Sequence, residues 1–159
     1  MAIIVETGSI VTSANSYVTE AELTTYSAAR GVTIANGDRE KYLTLAMDFI
    51  ETLDFKGIKY TKLQALQWPR VDVVVDTYLI DADEIPTDLK NAQLHTAMAI
   101  SEGNSPVAIV ERKTTTEQVG SLSVTYANSS ASNPIDPKIS RYLRKLVNGG
   151  LGGFMVTKA

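Results

Sequence analysis

Apolar side chains recur at Tyr42, Leu45, Ala46, Phe49, Ile50 and Leu53. These are the i, i+3, i+4, i+7, i+8 and i+11 positions of one helical face, so they demand an amphipathic helix with a partner to cover it. The pattern predicts a helix capped by Asp38 and ending near Phe55, before Gly57. Three further helices follow from local signals. Thr19 and Glu22 have the spacing of a capping box, with Val18 and Leu23 placed as a hydrophobic staple. They start a helix over Glu20–Arg30, which Gly31 stops. A third helix begins around Pro86 and ends at the Gly103-Asn104-Ser105-Pro106 run. Its apolar residues (Leu89, Ala92, Leu94, Ala97, Met98, Ala99, Ile100) cover more than one face, which makes it the central, buried helix. The fourth starts at Asp136-Pro137, a cap followed by proline at the first helical position. Ile139, Tyr142, Leu143, Leu146 and Val147 form its stripe, and Asn148-Gly149-Gly150 ends it.

The segments between helices are less regular. Pro69 disfavours helix at Trp68 and leaves residues 56–84 as a long connection. Within it, Val71–Ile80 is β-branched and predicts two short strands turning at Asp76-Thr77. Residues 107–127 read as a β segment, because Leu122, Val124 and Tyr126 alternate with Ser121, Ser123 and Thr125, and Gly120-Ser121 suits a hairpin turn. The expected fold is therefore mainly α: a small four-helix bundle with a β-hairpin insertion. It occupies residues 1–148, with a separate C-terminal tail over residues 149–159. That tail is loosened by glycine yet carries Leu151, Phe154, Met155 and Val156, which a plain linker lacks, so it is read as docking on a partner.

Composition removes most catalytic chemistry. Cysteine is absent and His95 is the sole histidine, so thiolate sites and a histidine-built zinc site are excluded. No phosphate-cradling glycine loop or nucleophile elbow is present. Asp81-Ala82-Asp83-Glu84 lacks the glycine and distal glutamate of a calcium loop. The carboxylates Glu51, Asp54, Asp81 and Asp83 show no spacing that selects a general-acid pair. No cofactor, metal or catalytic residue is expected. The first residues lack the basic start of a secretory leader, and no apolar run is long enough to span a membrane.

Charge is unevenly spread. The net charge is −3, yet the last 23 residues carry +5 and the first 136 carry −8. Six acids and no base lie between Val71 and Leu89. Asp81, Asp83 and Glu84 in the middle and Arg141, Arg144 and Lys145 on the fourth helix are therefore candidate contacts between subunits or with a charged partner. Trp68 is either a loop anchor in the core or, with Arg70 beside it, an interface residue. Most aromatics fall on apolar helical stripes, so a stacking platform for nucleic-acid bases is not expected.

Several short motifs occur in a definite order. They are Ile4-Val5-Glu6-Thr7-Gly8, Ala14-Asn15-Ser16-Tyr17-Val18, Phe55-Lys56-Gly57, Gln64-Ala65-Leu66-Gln67-Trp68-Pro69-Arg70, Glu84-Ile85-Pro86 and Val119-Gly120-Ser121-Leu122. In this order the chain resembles tailed-phage head–tail connector proteins of the adaptor, or head-completion, class, a family often labelled DnaT-like single-stranded DNA-binding protein. The resemblance implies a structural virion protein assembled in the host cytoplasm as a homo-oligomeric, dodecameric ring under the portal. It implies a tail (Leu151, Phe154, Met155, Val156) docking into the portal protein and a lower face receiving the next neck or tail-completion protein. The genome would pass through the lumen without specific binding. Single-stranded DNA binding is the alternative function.

Overall fold

The computed structural model describes residues 2–106, 116–119, 122–125 and 135–149. Along the chain the elements are α1 (Glu20–Ala28), a 3-10 turn (Asn36–Asp38), α2 (Arg39–Ile50), β1 (Ile58–Lys59), β2 (Arg70–Val71), β3 (Val74–Val75), β4 (Tyr78–Leu79), α3 (Thr87–Ser101), β5 (Thr116–Val119), β6 (Leu122–Thr125) and α4 (Pro137–Leu143). The strands form three separate antiparallel pairs, β1–β2, β3–β4 and β5–β6. In β5–β6, Val119 pairs with Leu122, which leaves Gly120-Ser121 as the two-residue connection.

The helix starts obey local chemistry. Thr19 Oγ1 accepts from the Glu22 backbone N–H at 3.1 Å, and Glu22 Oε2 accepts from the Thr19 N–H at 2.6 Å. Val18 and Leu23 are both fully buried in one apolar cluster, as the staple requires. Asp136 Oδ1 accepts from the Lys138 and Ile139 N–H groups at 2.8 and 3.4 Å and so caps α4. α3 packs against all three other helices, and nine of its fifteen residues are buried.

The four-helix bundle expectation does not hold. α4 has only seven residues and α1 nine. A bundle core is built from helical stripes, but here the larger core cluster is not. Nine of its fifteen buried residues lie outside the helices: Ala14, Tyr17, Phe55, Leu66, Trp68, Val73, Ile85, Leu146 and Val147. The irregular, hairpin-bearing segment 51–86 supplies a layer of its own against α2, α3 and α4, so the fold is mixed α and β.

α2 also departs from expectation. It ends at Ile50 rather than near Phe55, and its buried face is Leu43, Ala46, Met47 and Ile50. Leu45 is 40% exposed. The helix serves two apolar clusters at once, which turns it toward the Leu43–Met47 side of its stripe. Asp38 makes no side-chain capping bond, because it closes the preceding 3-10 turn with helical φ and ψ.

Candidate nucleic-acid interface

Trp68 and Arg70 were candidate surface contacts, and the structure places both inside. Trp68 is fully buried and meets Phe55 edge to face, with ring centres 6.1 Å apart. Arg70 is 7% exposed. Its guanidinium donates to the carbonyls of Phe55 (3.1 Å), Lys56 (2.7 Å) and Gly57 (2.8 Å), and to the Gln67 carbonyl and side chain (3.2 and 3.0 Å). A planar fork of five donors suits three successive carbonyls that no strand or helix satisfies. Arg70 thus sets the shape of the 55–57 turn from beneath.

The neighbouring loop is held by two further side chains. Gln64 accepts from the Thr61 N–H and donates to the Leu66 and Pro69 carbonyls, at 2.8, 2.9 and 2.9 Å. Glu51, just past α2, accepts from the Gln67 N–H at 2.9 Å and from the Tyr17 hydroxyl at 2.7 Å. Burial pushes the Glu51 carboxyl up from its ordinary value, with the Tyr17 and Gln67 bonds pulling the other way. Burial, reinforced by the Glu51 charge, holds the Tyr17 phenol well above its ordinary value, so it stays a neutral donor.

What this scaffold presents outward is basic and aromatic. Residues 55–71 contain Lys56, Lys59, Lys62 and Arg70 and no acid. Lys59 and Lys62 are exposed, and Tyr60 is 50% exposed between them. The start of this segment is joined to the end of α4. The Lys56 N–H donates to the Leu146 carbonyl at 2.9 Å, the Asn148 N–H to the Asp54 carbonyl at 2.8 Å, and Phe55 and Val147 form an antiparallel bridge. Arg141 and Arg144 are exposed on and just after α4. The backbone at the start of the lysine run is therefore bonded to the residues that follow the basic helix, and an exposed tyrosine ring lies within the run. Tyr78 is also exposed, so the expectation that aromatics fall on buried stripes fails at these two positions. The signal for this run was the lysine at every third residue, 56, 59 and 62, around Tyr60.

The other candidate residues lie elsewhere. Lys145 is paired with Asp76 of the β3–β4 turn. Asp81, Asp83 and Glu84 are exposed on a turn closed by the Glu84 N–H on the Asp81 carbonyl. That turn packs on Gly8, where a Cβ would fall 1.7 Å from the Asp83 carbonyl oxygen. The buried Glu6 carboxylate fixes the Gly8 loop by accepting from the N–H groups of Gly8, Ile10 and Val11. Leu151, Phe154, Met155 and Val156 lie outside the described residues. His95 is buried in α3, its Nε2 3.8 Å from Asp136 Oδ1, and burial lowers its pKa against the opposing pull of Asp136. Among the described residues no three His, Asp or Glu side chains gather to hold a metal ion, and no helix is long and apolar enough to cross a membrane.

No curated protein and no solved structure matches this chain. A family model does, over residues 1–159, and its description is "Putative DnaT-like ssDNA binding protein". The chain belongs to this DnaT-like family.

Proposed function

We propose that this protein binds single-stranded DNA along the edge formed by residues 55–63 and the end of α4. The observation that carries the reading is Tyr60, half-exposed among Lys56, Lys59 and Lys62 on a segment without a carboxylate. Single strands offer phosphates to such lysines and unpaired bases to such a ring, and stacking is worth roughly 1–3 kcal/mol per base. The family description points the same way. Binding is modest and salt-sensitive, since the whole chain carries −3 and the basic edge is local.

The test is fluorescence anisotropy of a labelled oligo-dT titrated with protein at several salt concentrations. Tyr60→Ala weakens binding about tenfold with the salt slope unchanged. Lys59→Ala lowers the slope by about 0.7, the loss of one phosphate contact on a single strand. No binding at low salt, or equal binding of duplex and single strand, sinks the proposal.

A second reading, the structural head–tail connector, is favoured by a different observation. Ile58, Leu63, Val74, Tyr78 and Leu79 are 62%, 90%, 50%, 77% and 65% exposed, apolar side chains that a partner subunit would cover. In this reading the protein is a ring oligomer of the virion neck that contacts the portal protein through residues 149–159 and seals the packaged head. Co-sedimentation with portal rings from the same genome tests it, comparing the full chain with one stopped at Asn148. Binding by the full chain alone supports it, and binding by neither ends it. Neither reading asks for a catalytic centre or a cofactor.

A further inference from the structure

We propose that the β3–β4 hairpin is a docking surface for a cationic protein segment bearing apolar side chains at alternate positions. The proposal is independent of DNA binding. Val74 pairs directly with Leu79, so their side chains share one face of the ladder. They are 50% and 65% exposed. Val75, on the opposite face, packs against the core. Val75 anchors one side of the hairpin beside the exposed ring of its partner Tyr78, and the Val74–Leu79 side is bare. The turn is committed to this pose: Asp76 and Thr77 both have positive φ, 50° and 74°, the requirement of a tight primed hairpin turn.

Charge selects the occupant. Asp72, Asp76, Asp81, Asp83, Glu84 and Asp88 surround the hairpin in sequence, and no Lys or Arg lies between Val71 and Leu89. A nucleic-acid backbone is repelled by a stretch so acidic, and an acidic peptide equally so. A lysine-bearing segment is attracted, and the fold already contains one example: Lys145 of the same chain sits on Asp76 at the turn. Asp72, Asp81, Asp83 and Glu84 are exposed farther along. The apolar side chains of an extended segment alternating with lysine would lie on Val74 and Leu79, and the long lysine stems would swing their ammonium groups round to the exposed carboxylates that flank the hairpin in sequence. That is the division of labour expected of an interface with an apolar centre and a polar edge.

The probe is a labelled eight-residue peptide alternating lysine and valine, titrated into the full-length protein. Two comparison peptides replace valine by serine, or lysine by glutamate. The lysine–valine peptide should bind roughly tenfold or more tightly than either comparison peptide. Leu79→Ser, on an exposed side chain that does not endanger the fold, should remove most of that advantage while leaving oligo-dT affinity unchanged. The triple variant Asp81→Asn, Asp83→Asn, Glu84→Gln should weaken peptide binding and flatten its salt dependence. Equal binding of the valine and serine peptides overturns the proposal, as does indifference to Leu79→Ser. A concentration-dependent dimer in sedimentation that Leu79→Ser abolishes, with no peptide bound by the wild type, also overturns it and assigns the face to a second copy of the chain.

Discussion

The β1–β2 and β3–β4 hairpins are built to the same size and to opposite ends. Each is a two-residue antiparallel pair, and each leaves an apolar side chain at its surface, Ile58 on the first and Val74 with Leu79 on the second. They adjoin at Gly57, where a Cβ would meet the Val71 carbonyl oxygen at 2.1 Å and Val73 Cγ2 at 2.7 Å. Yet the first belongs to a run with four bases and no acid, and the second to a run with six acids and no base. Their anchoring differs too. The first is tied from below by Arg70 and Gln64 to main-chain carbonyls. The second is set by its own turn and by Lys145. Two neighbouring protrusions of one fold thus sit in stretches of opposite charge, held by the backbone between them.

The severest way to break the comparison is at the junction. Gly57 has φ +67° and no room for a methyl group. Gly57→Ala should cost about 4 kcal/mol in denaturant unfolding, from left-handed strain together with the clash on Val71 and Val73, and should disturb both hairpins at once. Arg70→Leu acts on one side only. It strands the carbonyls of Phe55, Lys56 and Gly57, for a loss of about 2–3 kcal/mol. Oligo-dT affinity should fall with an unchanged salt slope, because a buried guanidinium meets no phosphate. A changed slope would put Arg70 on the DNA.

A gentler change sharpens the account of how the basic loop is held. The Glu51 carboxyl is raised in the folded state by burial. A carboxyl raised on folding holds its proton more tightly in the native protein, so stability falls as pH rises through the unfolded and then the folded pKa. Relative to Glu51→Gln, the wild type should therefore lose stability from about pH 4 upward and level off once Glu51 is ionised in both states. Unfolding free energies of the two proteins measured between pH 3.5 and about 7 check the sign. Rising relative stability over that window would mean that the Tyr17 and Gln67 hydrogen bonds outweigh burial. The smallest effect is at the acidic turn. A double-mutant cycle on Asp76→Asn and Lys145→Met should give a coupling of about 0.5 kcal/mol that fades with salt, since the pair is 63% and 40% exposed.

Much of the helical framework was legible in the residues. The Thr19–Glu22 box, the Val18–Leu23 staple, the Asp136 cap and the all-round burial of α3 depend on neighbours three or four positions away, and local chemistry decides them. The Asp76-Thr77 turn was legible for the same reason. The candidate edge was not. Lys56, Lys59 and Lys62 were in plain view, but a long connection carries no period to say which of its side chains face out. Trp68 and Arg70 show the converse: residue types favoured at interfaces that turn inward because main-chain groups 13 to 15 residues away along the chain needed donors, or a ring needed cover.

By itself, then, the amino-acid order determined where the helices begin, which helix is central, and that charge changes sign along the chain. Those properties follow from short-range hydrogen bonds, helical period and composition, all of which act within a few residues. Only the tertiary structure decided that the hairpin-bearing segment contributes five of the fifteen buried residues of the larger core cluster, that α2 rests on its Leu43–Met47 face, and that the backbone at Lys56 bonds to the chain just after α4. These outcomes depend on contacts such as Lys56 with Leu146 and Asp76 with Lys145. Contacts between residues so far apart in the chain leave no local pattern, because the free energy that selects them comes from closing the whole core at once.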